Sequence, residues 1–176
     1  MGVGFVMLPR APSGLRGFSL LELMVALTVL GILLGVGVPS FATLTQNNRV
    51  TTQTNELVSA LNLARSEAIR RGAPTTVEAV LPASGFAAGW CIYVGTGGCG
   101  DPSGVLRVYP PMTRMSVEAD ATSIVFDARG ARRQPTDASL TVTLSPDDCA
   151  AGAANRARRL DIALTGRVSL QRINCS

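Results

Sequence analysis

From Phe18 to Val38 the chain reads FSLLELMVALTVLGILLGVGV, an apolar run broken by a single ionisable side chain, Glu22. As a helix this run rises roughly 31 Å, about the hydrocarbon thickness of a bilayer. The pattern then changes. Gly35, Gly37 and Pro39 interrupt the run, and a polar stretch continues to Arg71 with Val50, Leu57, Leu61, Ala64 and Ala68 on one helical stripe. Glu67 and Arg71 stand at i,i+4 near its end, Gly72 supplies a C′ residue, and Pro74 forbids continuation. The pattern predicts one helix from Phe18 to about Arg71, roughly 80 Å long. Gly-Val-Gly-Val-Pro is the place for it to bend or locally unwind. Two helices split at Pro39 are the alternative.

After Gly72 the period becomes strand-like. Thr75–Leu81, Gly89–Val94, Val105–Tyr109, Ser123–Asp127, Ser139–Leu144, Leu160–Leu164 and Arg167–Leu170 are short runs rich in Val, Ile, Leu and Thr. Each is bounded by Gly, Pro, Asp or Ser. Short strands after one long helix predict an α+β fold, with sheet packed on the Leu57–Ala68 face. No internal repeat or low-complexity linker interrupts the chain.

Charge adds orientation. The 16 basic residues are all arginine, histidine is absent, and 12 acids leave a net charge of +4. Without an imidazole there is no Ser-His-Asp or Cys-His nucleophile and no His-ligated metal site. Residues 1–17 hold Arg10 and Arg16 and no acid, so the N-terminus is expected in the cytoplasm with the rest of the chain across the membrane. Two plainer readings compete. A cleaved secretory signal wants an A-x-A-like site after a shorter apolar run, and GVGVPSFATL offers none. A plain anchor has no use for Glu22, whose carboxylate in lipid costs about 2.5–3.5 kcal/mol.

Arg16-Gly17-Phe18-Ser19-Leu20-Leu21-Glu22 resembles the processing site of type IV pilins and pseudopilins. The resemblance implies that a membrane prepilin peptidase cuts between Gly17 and Phe18 and N-methylates Phe18. Glu22 then becomes the fifth mature residue, the family's assembly carboxylate. The new amino group of one subunit and the Glu22 carboxylate of a neighbour would pair in a low-dielectric filament core, removing an unpaired charge and fixing axial register. The implied organisation is a leader at 1–17, a transmembrane helix at 18–38, an amphipathic helix at 39–72, and a β-rich periplasmic head at 73–176.

The head narrows the resemblance. LNLARSEAIRRGAPTTV, GW near Cys91, VLRVYPP, SIVFDARG and LTGRVSL, in that order, are similar to the GspH/FimT group of minor pseudopilins and minor pilins. That group implies a two-sheet head and function by insertion into a filament. The expected partners are the prepilin peptidase, other major and minor pilins or pseudopilins, and the inner membrane, with no cofactor and no catalysis. The host filament is a type IV pilus or a type II secretion pseudopilus, supporting pilus assembly or protein secretion.

A second reading is DNA uptake in natural transformation. FimT-like proteins bind double-stranded DNA through a C-terminal Gly-Arg-x-Arg element, and Gly166-Arg167-Val168-Ser169 matches all but its second arginine. Arg156, Arg158, Arg159, Arg167 and Arg172 crowd the tail and are the candidate phosphate contacts, which Arg132 and Arg133 would extend. In a regular strand, however, Arg167 and Arg172 point to opposite faces. No aromatic lies among them, so binding would be sequence-independent. A solvated rim, or pairing with acids of neighbouring subunits, is the plainer account of these arginines.

Cys91, Cys99, Cys149 and Cys175 all lie beyond the apolar run, where the bacterial envelope is oxidising. Four cysteines allow three connectivities. The most local one joins Cys91–Cys99 around GTGG and Cys149–Cys175 across the last strands. Zinc is the rival, but no pair has C-x₂-C spacing. Asp147-Asp148 lacks a phosphate cradle or metal signature, and Asp101 after GTGG reads as a turn rather than a calcium loop.

Overall fold

The computed structural model describes residues 17–176, so the predicted leader with Arg10 and Arg16 lies outside the described residues. Leu20–Arg71 forms one α-helix, α1, with no unwound stretch at Gly-Val-Gly-Val-Pro and no division at Pro39. A proline inside a helix removes a single N–H donor, and the turns on either side supply the rest of the ladder. Gly72 ends the helix at φ +63, and Ala73 N donates to Ala68 O at 3.3 Å, the six-to-one bond of a Schellman cap.

The chain divides after Ala42 into two compact units. In the first, every described side chain from Phe18 to Val38 is exposed, including Leu20, Leu21, Val25, Ile32 and Leu33. The helix there is apolar on all sides, with a mean hydropathy of 2.4. Its hydroxyl at Thr28 donates back to the Met24 and Val25 carbonyls of its own helix, which removes a polar group from the apolar surface.

The second unit, Thr43–Ser176, holds the last turns of α1 and two antiparallel sheets. The first sheet contains β1 (Thr75–Ala79), β2 (Trp90–Val94), β3 (Val105–Tyr109), β5 (Ser123–Phe126) and β6 (Arg132–Gln134), ordered β3-β2-β1-β5-β6. The second contains β4 (Met115–Ala119), β7 (Ser139–Pro146), β8 (Ala157–Ala163) and β9 (Val168–Ile173), ordered β4-β7-β8-β9. Val50, Leu57, Leu61, Ala64 and Ala68 of α1 are fully buried, and they meet Val77, Trp90, Ile92, Ile124 and Phe126 of the first sheet in one core. Leu140, Val142, Leu144, Leu160 and Ile162 of the second sheet complete it. Alternation is clear in β7, where Leu140, Val142 and Leu144 are buried and Ser139, Thr141 and Thr143 are not.

Among the described residues there are nine strands rather than the seven expected. The two additions are β4 and β6. β4 alternates Met115, Val117 and Ala119 with Ser116 and Glu118, a period-two signal that is weak because the segment is short and polar at every second place. β6 is three residues of Arg-Arg-Gln, held by pairing with β5 and carrying no sequence signal at all. Boundaries move for local reasons. Leu81 leaves β1 because it opens a 3₁₀ segment at Pro82–Ala88, and Asp127 leaves β5 because its carboxylate caps a turn. β8 begins earlier than Leu160 and β9 runs later than Leu170, since their ladder extends to Ala157↔Ile173.

Disulfides join Cys91 to Cys99 and Cys149 to Cys175, with Cα separations of 5.7 and 6.0 Å. The first lies over β1, where Cys99 Sγ is 3.7 Å from the Glu78 carbonyl. The second closes the β7–β8 loop on the tail, where Gly152 N donates to Cys175 O and Cys175 N to Ala153 O.

Candidate functional site

Three groups of residues carry chemistry. The first is the start of α1. Ser19 is its N-cap: Ser19 Oγ accepts from Glu22 N at 3.2 Å, and Ser19 O accepts from Leu23 N at 3.1 Å. Glu22 therefore occupies the third helical position, where a carboxylate is favoured by the helix dipole. The Ser-x-x-Glu spacing is that of a capping box. Phe18 is 80% exposed, and a side chain at Gly17 would meet nothing within 4 Å.

The second group is the arginine tail, and the structure divides it. β8 and β9 pair Arg158↔Arg172, Leu160↔Leu170 and Asp161↔Ser169. Directly opposed residues share a face, so Arg158 and Arg172 lie with Leu160 on the side turned to α1. Arg159 and Arg167 lie on the other face with Asp161 and Ser169, where Asp161, Arg167 and Ser169 line a shallow recess. Arg158 is only 5% exposed. Its Nη1 donates to the Asn155 and Ala157 carbonyls and its Nη2 to Thr51 Oγ1. Burial, and then the Arg172 charge, hold its guanidinium below the ordinary arginine range. Arg132 is 3% exposed as well, and donates to the Pro135 and Asp137 carbonyls. The arginines expected as a basic cluster, Arg156, Arg158, Arg159, Arg167 and Arg172 with Arg132 and Arg133 as its extension, are therefore not all on the surface. Arg158 and Arg132 are buried, and Arg159 and Arg172 fall on opposite faces of a sheet.

The third group was not foreseen as a unit. Arg65 of α1 donates through Nε to Gly130 O at 2.9 Å and through Nη2 to Thr165 O at 3.1 Å. It joins the β5–β6 turn to the β8–β9 turn. Asp127 rigidifies the first turn by accepting from Arg129 N and Ala131 N, bonds that hold its carboxyl below the usual range. The second turn passes at Gly166, φ +77, so close to Gly130 that a Cβ would collide with the Gly130 carbonyl oxygen. The ARSEAIRR, FDARG and LTGRV motifs thus meet at one junction. Their order along the chain signalled a family, but only the fold shows that they touch.

Comparisons with known proteins agree with this geometry. A family profile described as Type II transport protein GspH matches residues 53–166, and one described as the prokaryotic N-terminal methylation motif matches residues 14–38. No curated protein matches the chain. Two crystal forms of the type IV minor pilin FimU from Pseudomonas aeruginosa share the fold at 22% identity. In the first, the match covers 73% of this chain and 92% of FimU with a TM-score of 0.58. In the second it covers 69% and 91% with a TM-score of 0.55. A helix with a methylation motif at its start, two sheets packed on its later turns, and a profile match over residues 53–166 make this chain a member of the GspH family.

Proposed function

We propose that the chain is a non-catalytic minor subunit of a pilin-type filament, made as an inner-membrane precursor with its N-terminus cytoplasmic and its head periplasmic. Prepilin peptidase cleaves between Gly17 and Phe18 and methylates Phe18. Glu22 then recruits the subunit by pairing with the terminal amine of a neighbour. The observation that carries this reading is the position of Glu22. It is the one ionisable side chain in the apolar stretch from Phe18 to Val38, one turn from the processing site and at the capped helix start. The apolar surface from Phe18 to Val38 is exposed in the isolated chain, and lipid or the packed helices of a filament would cover it.

Mass spectrometry of the protein from cells with an active peptidase tests the processing step. A mature chain starting at N-methyl-Phe18 is expected, and an intact residue 1 or a start near Phe41 refutes the reading. Glu22→Ala should still be cleaved but enter filaments poorly. Equal incorporation would remove the role assigned to the carboxylate. The same physics serves a type IV pilus and a type II secretion pseudopilus, and the neighbouring genes distinguish the two.

The DNA-uptake alternative finds less support in the geometry. Of Arg156, Arg158, Arg159, Arg167 and Arg172, the second is buried against Thr51, and Arg159 and Arg167 share their face with Asp161. Loss of gel shift on replacing Arg159 and Arg167 with alanine, with the shift steeply salt-dependent, would restore that reading.

A further inference from the structure

The junction tied by Arg65 also presents apolar side chains to solvent. Ile69 stands four residues beyond Arg65, on the same side of α1. It lies against the β5–β6 turn, where a Cβ at Gly130 would come within 2.6 Å of Ile69 Cδ1. Leu164 belongs to the β8–β9 turn. Its carbonyl accepts from Arg132 N at 2.8 Å, and the carbonyl of Thr165, the next residue, accepts from Arg65 Nη2. Helix end and both turns are thus stitched together, yet Ile69 remains 53% and Leu164 43% exposed. Neither side chain belongs to the core.

The charge at this junction is one-sided. Arg70 and Arg71 follow Ile69 at the end of α1, and their two guanidiniums share the single carboxylate of Glu67. Arg129 is exposed in the β5–β6 turn, and its charge and that of Arg133 act on Asp127. Asp127 spends its Oδ1 on the backbone N–H groups of Arg129 and Ala131. Among the described residues, the ion pairs within 4.0 Å include neither Arg129 nor Arg133. Two carboxylates, both engaged, therefore stand against the four exposed guanidiniums of Arg70, Arg71, Arg129 and Arg133.

We infer that Ile69 and Leu164, with Arg70, Arg71 and Arg129 around them, form a docking surface for an adjacent protein of the same filament, whose matching face sets an apolar side chain among Asp or Glu residues. The inference rests on the filament reading given above, which brings folded heads against one another. Charge complementarity calls for the acids, and the exposed aliphatic pair calls for the apolar centre, since a protein contact has an apolar core and a polar rim. Arginine suits that rim because its guanidinium is weakly hydrated and takes a carboxylate in two parallel bonds. A nucleic-acid duplex fits less well. Its phosphates would meet the cations but give Ile69 and Leu164 nothing apolar to pack on. The surface is also preformed, because Arg65 ties the helix to both turns before any partner arrives.

The chain contains no lysine, which allows a direct test. Arg70→Lys and Arg129→Lys, made singly in the full chain, each introduce the one side-chain amine and keep the charge. Filaments purified from producing cells are treated with a zero-length carbodiimide, which joins an amine to a carboxylate only where they touch. Peptide mass spectrometry should find the new amine of at least one variant joined to an Asp or Glu of another filament subunit. Adding Ile69→Ser or Leu164→Ser, each at an exposed position, should cut that adduct severalfold. Arg107→Lys, on β3 at the far edge of the first sheet, should give no such adduct. Filaments that contain the chain beginning at Phe18 but yield no adduct from either variant overturn the docking surface and leave the filament reading standing. So does an equal adduct from Arg107→Lys, or an adduct that neither serine substitution weakens. A chain that is never processed and never found in filaments overturns both. Retention of duplex DNA by the full chain that Arg129→Ala abolishes, with no adduct, identifies a phosphate site and likewise refutes the proposal.

Discussion

Gly166→Ala tests whether the junction at Arg65 holds the head together. The perturbation has two parts. Gly166 adopts φ +77, and an L-residue there costs about 1–2 kcal/mol. The new Cβ also collides with Gly130 O and comes within 3.0 Å of Arg65 Nε. The obstacle on one side is backbone, so relief requires the two turns to part. Parting them breaks the 2.9 Å bond from Arg65 Nε to Gly130 O. A hydrogen bond from a charged donor contributes about 1.5–3 kcal/mol, and the half-exposed position of Arg65 favours the lower end. The sum is about 3 kcal/mol. Gly72→Ala is the matched control, because Gly72 has φ +63 with nothing within 4 Å of its Cβ. It should lose only the conformational part, about 1–2 kcal/mol. Thermal melts of the full chain in detergent micelles, followed by the single tryptophan, Trp90, read the difference. Trp90 is fully buried between α1 and the first sheet, so its emission reports head unfolding. At about 3 °C per kcal/mol for a unit of this size, Gly166→Ala should melt about 5 °C below Gly72→Ala. Equal losses in the two variants would show that the turns do not depend on their close approach.

Other substitutions probe the core, the cross-links and one ion pair. Leu57→Ala, at a fully buried position facing both sheets, should cost about 2–5 kcal/mol in the same melts. Replacing Cys149 and Cys175 with serine opens a loop with a sequence separation of 26 and should cost about 3 kcal/mol, while the separation of 8 at Cys91–Cys99 makes its loss smaller. Hydrogen bonds from Arg70 and then Arg71 hold the Glu67 carboxyl at about 2 against 4.5 for the free group. Because the folded value is depressed, the pair's contribution is present above about 4.5 and fades as pH falls towards about 2. Amide exchange in the last turn of α1 should therefore quicken across that window in the wild type, and Glu67→Gln should flatten the dependence.

Much of this fold is legible in the sequence, and the exceptions have physical causes. The stripe from Val50 to Ala68 reads directly as a buried face because its residues recur at helical spacings of seven, four, three and four. Gly72 and Pro74 mark its end unambiguously. β6 carries no such repetition. Its three polar residues form a strand because β5 offers a free edge, a tertiary cause invisible to local pattern. The arginine tail shows the opposite failure. Five like charges in a short span look like one surface when only spacing is considered. A strand period of two sends neighbours to opposite faces, and Arg158 turns inward because β8 continues four residues N-terminal of Ile162 while α1 supplies Thr51 to meet it. Knowing which face a charge occupies requires the register of a pairing partner, and the sequence of one strand does not contain it.

The family motifs of the head acquire a different meaning once their contacts are known. A set of short motifs spread over a hundred residues is commonly read as a ligand site brought together by folding. Here the shared point is Arg65 with the Gly130 and Thr165 carbonyls, where Nε and Nη2 are both given to other parts of the same chain. Glycine is required at position 166 by contact rather than by flexibility alone, and arginine at 65 by reach and two-pronged donation, which lysine lacks. The motifs therefore specify how two turns are tied to a helix. A different role falls to Glu22 at the start of α1, the one ionisable side chain between Phe18 and Val38. Its carboxylate has no opposite charge within ion-pair distance among the described residues. In the filament reading proposed above, the terminal amine of a neighbouring subunit meets that charge.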